Sequence, residues 1–146
     1  MMRVKNAGPL LIAIGIGAIY FQVARRFWGF YVVNSPVNEL LVSKLARQGF
    51  ELSYVLAISM HDFIVNVALA LPFAALISFI RPARMRTYTL LALLTAVGFS
   101  FWGTNFSGLG SIWGEWTFWL NEAVFLVSLP LASLLMWQIR KRQHVT

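Results

Sequence analysis

The run from Glu51 to Ile80, ELSYVLAISMHDFIVNVALALPFAALISFI, restricts what this chain can become more than any other stretch. It exceeds the roughly 20 apolar residues that carry a helix across a hydrocarbon core about 30 Å thick. Yet it contains His61, Asp62 and Asn66. An acid in mid-membrane costs about 2.5 to 3.5 kcal/mol on insertion scales, so such groups must be paired, protonated or wet. A span with that content is a candidate site from the outset.

Composition extends the membrane reading to the whole chain of 146 residues, which has room for a single domain. Hydrophobic residues make up 59% and charged residues 12%, against about 25% charged in soluble domains. The absence of cysteine removes disulfides, thiolate metal sites and thiol redox chemistry.

Four apolar stretches are expected to span: 7–24, 52–80, 88–102 and 116–137. The first follows Arg3 and Lys5 and lacks an A-x-A-like cleavage site, so a retained span is expected rather than a signal peptide. Ala13 and Gly17 in the first stretch, and Ala92 and Ala96 in the third, are small residues four apart where helices can approach closely. Phe27, Trp28, Phe30 and Tyr31 beside Arg25 and Arg26 have the composition of a headgroup-level belt. Ser35 and Pro36 then open a short amphipathic helix, about 36–48, that Gly49 can close. It is too short to span and is expected to lie along the interface as a connector, the alternative being a partner-docking helix.

With four spans both termini share a side. Of the twelve basic residues, Arg3, Lys5, Arg81, Arg84, Arg86, Arg140, Lys141 and Arg142 fall on that side, leaving four opposite. The bias predicts cytoplasmic termini. All five acids, Glu39, Glu51, Asp62, Glu115 and Glu122, then lie in the outer half. The net charge of +7 is therefore a topology signal with an attraction for anionic lipid, not a nucleic-acid footprint. The expected fold is an all-α integral membrane protein, a four-transmembrane-helix bundle, placed as a multi-pass protein of the cell membrane, a bacterial inner membrane.

Counting about 1.5 Å per residue from each cytoplasmic end puts Asn66, Glu122 and Gln22 roughly 21 to 23 Å above the inner surface, with His61 and Asp62 further out. Asp62 and Asn66 share one face of the second span with Glu51 and Ser59, and Glu115 and Glu122 share a face of the fourth. The simplest assembly turns these faces together, with His61 pointing elsewhere. Pro72 and Pro130 stand at similar depths and either shape packing or, as paired bends, open an outer pocket. Trp102, Trp113, Trp116 and Trp119 cluster at the outer end of the last hairpin, as an aromatic belt or as the lining of a lipid, quinone or peptide pocket.

Catalytic signatures are missing. A bis-histidine haem needs a second histidine in the bundle, and His144 lies in the tail. A zinc site from His61, Asp62, Glu115 and Glu122 lacks any HExxH-like spacing, and neither GxSxG nor a phosphate loop occurs. No cofactor or metal is expected. In the order and length of its spans, though in no motif, the chain resembles the small membrane subunits of tripartite solute transporters, as do many four-span proteins.

The leading expectation is a non-enzymatic subunit or accessory protein of a membrane complex, with membrane lipids and another membrane protein, or a second copy, as partners. A small oligomeric transporter or channel, using Asp62 and Glu122 for a proton, cation or lipid headgroup, is the alternative. An enzyme on a lipid-linked substrate comes third.

Overall fold

The computed structural model describes residues 7–80, 82–103 and 116–143. Five α-helices follow in order: α1 Ala7–Asn34, α2 Pro36–Lys44, α3 Glu51–Ile80, α4 Met85–Gly103 and α5 Trp116–Gln143. Short 3₁₀ turns at Ala46–Gln48 and Pro82–Arg84 join α2 to α3 and α3 to α4. The described residues are all-helical in architecture, and three helices, α1, α3 and α5, are long and apolar enough to cross a membrane.

The first helix runs ten residues past its expected end at Ala24. Nothing between Ala24 and Asn34 stops a helix: Gly29 costs only about 1 kcal/mol relative to alanine, and no proline intervenes. The stop comes at Ser35–Pro36, because proline disfavours helical backbone in the residue before it. Ser35 is extended (φ −79°, ψ 117°) and its Oγ accepts the Asn38 N–H at 3.3 Å, which caps α2. The expected 36–48 helix divides into α2 and a 3₁₀ turn that Gly49 closes at φ 82°. That left-handed backbone favours glycine.

The long helices surround one core. Along α1 and α3 the contacts run in opposite directions, Tyr20 against Phe73 and Trp28 against Asn66. Along α1 and α4 they run in the same direction, Gly17 against Ala92 and Phe21 against Phe99. The most extensive packing joins α3 to α5 and α1 to α4, while α4–α5 and α1–α3 contacts close the ring.

Small residues make the α1–α4 seam. Ala13, Ala92 and Ala96 are fully buried. A Cβ placed on Gly17 would strike the Ala92 carbonyl and lie 2.9 Å from the Ala92 Cα. Lipid tails provide no hydrophobic drive between helices, so close backbone approach and dispersion hold such a seam. The two small-residue faces read from the sequence are thus each other's partners.

At the centre Tyr20 stacks on Phe125 (centroids 5.3 Å, planes 5° apart) and meets Phe73 edge-on at 5.2 Å. Its ring ties α1 to α3 and α5 together. The Tyr20 hydroxyl is buried and has no hydrogen-bond partner among the described residues. Lower in the bundle Thr89 Oγ1 donates to Ser133 Oγ at 3.0 Å, linking α4 to α5. Arg140 donates to the Ser78 carbonyl at 2.5 Å and sits over the Phe79 ring. That guanidinium satisfies one of the last four carbonyls of α3, which have no partner within the helix.

Candidate functional site

Asn66 and His61 of α3 meet the C-terminal part of α1. Trp28 and Tyr31 lie three residues apart, on one face of a helix. That face meets α3, where Asn66 and His61 present their polar atoms at matching heights. Trp28 Nε1 donates to Asn66 Oδ1 at 2.8 Å, and Asn66 is only 5% exposed. One residue pair buries a polar side chain with its bond made.

A second set stands further out. Tyr31 Oη and His61 Nε2 are 3.0 Å apart, and the two rings stack with centroids at 5.7 Å. His61 Nδ1 lies 3.2 Å from Asp62 Oδ1. In the tautomer with Nδ1 protonated toward the carboxylate, Nε2 accepts the Tyr31 hydroxyl proton. Phe27 stacks on Tyr31 at 5.1 Å and Trp28 meets Tyr31 edge-on at 5.5 Å, so an aromatic wall fixes the phenol. Chemically, this Tyr31–His61–Asp62 row can hold or relay one proton. Only two metal-ligating side chains meet here, and no group of three His, Cys, Asp or Glu forms among the described residues. Zinc sites take at least three protein ligands.

The arrangement differs from the expected one in three ways. Asn66 bonds to Trp28 of α1 and Asp62 to His61 of its own helix, rather than either to Glu122, although α3 and α5 do pack together. His61, expected to point elsewhere, joins Tyr31 to Asp62. Gln22, expected in the same layer, is exposed on the outside of α1. Glu122 is half-buried on α5 and forms no hydrogen bond or ion pair among the described residues. The Tyr20–Phe73–Phe125 contact sets a common level, from which Glu122 is about 4.5 Å and Asn66 about 10 Å further out along their helices. The two are roughly a turn apart.

Of the four tryptophans expected to line a pocket, Trp102 is 88% exposed and Trp119 39% exposed, so neither encloses a chamber within the described residues. Glu115 and Trp113 lie outside the described residues, as does the side chain of Trp116. Pro72 and Pro130 both sit inside continuous helices. Pro130 borders a groove between the start of α4 and the end of α5, not a pocket beside Glu122.

Trp28 and Tyr31 are the site residues that composition concealed. Their indole and phenol look like belt aromatics, and the signal for more was their spacing of three beside polar positions on α3. No family model matches the chain, and no curated protein or solved structure matches it either.

Proposed function

We propose that this is a four-span protein of the cell membrane, of a bacterial inner membrane, with both ends cytoplasmic, acting as a non-enzymatic subunit or accessory protein of a membrane complex. Support for α4 as a fourth span comes from its parallel course along α1. The arginine bias supports the orientation.

One observation carries the subunit reading. Asn66, His61 and Asp62 have their bonds within the chain, whereas Gln22 is exposed in mid-span with no hydrogen bond among the described residues. An amide facing lipid is unsatisfied, and bonding across to another helix relieves it. The small-residue faces are spent on the α1–α4 seam, so a partner meets the outside of α1 instead. Affinity purification in mild detergent, followed by native mass spectrometry, tests this. A co-purifying membrane protein or second copy is expected, reduced several-fold by Gln22→Leu at unchanged helix content. A stable monomer in wild type and variant alike ends the reading.

Glu122 favours a second reading. A half-buried carboxyl without a bond among the described residues, on a spanning helix, is suited to taking up a proton or cation in a small oligomeric transporter. Liposome flux that survives Glu122→Gln combined with Asp62→Asn would dispose of it.

A further inference from the structure

We infer that the groove between the start of α4 and the end of α5 is a binding site for one phospholipid with an anionic headgroup. Arg84 and Arg86 hold the phosphate, and an acyl chain lies against Leu90, Leu93 and Leu134. The inference shares with the proposed function only that the chain crosses a membrane. It does not depend on the subunit reading.

The groove has a volume of about 580 Å³, and its wall includes Arg84, Arg86, Leu90, Leu93, Leu134 and Trp137. That volume falls in the range of small-molecule sites. Its chemistry is ordered along the membrane normal. Leu90 and Leu93 lie about 9 and 13 Å along the helix axis from Arg84, so cations stand at one end and leucines below them. A head-and-tail molecule matches that order; a free inorganic anion would leave the apolar part uncovered.

Charge complementarity has to come from outside the chain. No acid lines the groove, and neither arginine forms an ion pair among the described residues. Lys141 is not part of the groove wall but lies against a residue that is, its Nζ 5.5 Å from the centroid of the Trp137 ring. Arg140 differs, being engaged with the Ser78 carbonyl and the Phe79 ring. Basic recesses between membrane helices attract anionic headgroups, and an indole such as Trp137 belongs at headgroup level.

Native mass spectrometry of the detergent-solubilised full chain tests the site, titrating phosphatidylglycerol and phosphatidylcholine of identical acyl chains. Wild type is expected to prefer phosphatidylglycerol by on the order of tenfold. Arg84→Gln with Arg86→Gln should erase that preference, and Arg25→Gln with Arg26→Gln should keep it. All four are exposed residues, which favours intact folding. Phosphatidylglycerol with brominated chains should also quench a component of tryptophan fluorescence that Trp137→Phe removes. Equal binding of the two lipids overturns the inference, as does a preference that survives in the Arg84/Arg86 variant or is lost equally in the Arg25/Arg26 variant. Comparable binding of glycerol 3-phosphate would assign the arginines to a free anion. Absence of Trp137-dependent quenching would remove the lipid from this groove.

Discussion

The α1 helix is held in two unlike ways along its length. At Gly17 it presses backbone to backbone on Ala92 of α4, through contact of main-chain atoms rather than side-chain hydrogen bonds. At Trp28 and Tyr31 it is fastened to α3 by hydrogen bonds from amphipathic rings. The contrast shows how a chain replaces the hydrophobic effect in a solvent that does not supply it. Close approach uses shape, tolerates no added atom, and has no preferred chemistry. Hydrogen bonds tolerate looser packing but need specific partners at one height.

Substitutions can break the comparison. The largest effect is expected at the seam, where Gly17→Leu has no space because the obstructing atoms are Ala92 backbone. Roughly 3 kcal/mol or more of stability should be lost, read by denaturant titration in mixed micelles. A variant as stable as wild type would mean that α1 and α4 are not in contact.

At the C-terminal end of α1 the effects should be smaller. Asn66→Leu and Trp28→Phe are each expected to cost about 1 kcal/mol, with a coupling of about 0.6 to 1.7 kcal/mol in a double-mutant cycle. Zero coupling would assign the stability of that end to packing alone. Tyr20→Phe sharpens the boundary between the two regimes. Removing a buried hydroxyl that lacks a partner among the described residues, while keeping the stack on Phe125, should raise stability by about 1 kcal/mol. Tyr31→Phe comes last, at about 0.5 kcal/mol, and should couple to His61→Phe but not to Asn66→Leu. Coupling to Asn66 would merge the two outer bonds into one network.

Much of this organisation is legible before any coordinates. The extent of α3 follows from uninterrupted apolar content, the opening of α2 from Ser35 and Pro36, and the turn at Gly49 from glycine's access to positive φ. The reach of α1 is not legible, because Phe27, Trp28 and Tyr31 are equally at home in a headgroup belt and on a helix face. The partner of Asn66 is concealed for a related reason. Helical periodicity gives the direction a side chain leaves its own axis, but no information on which of several neighbouring helices stands there. Equal depth by residue count made Glu122 the expected companion, whereas packing offsets the two by about a turn and directs Asn66 to Trp28.

By itself the sequence determined the extent of α3, the opening of α2 at Ser35 and Pro36, the turn at Gly49 and the small-residue faces, since each is a local property of backbone and solvent. Tertiary structure decided who meets whom. Gly17 against Ala92, Trp28 with Asn66, Tyr31 with His61, and the arginine-rimmed groove between α4 and α5 join residues far apart in the chain. Those pairings depend on helix rotation and offset, which many weak contacts settle together and no single stretch of sequence encodes.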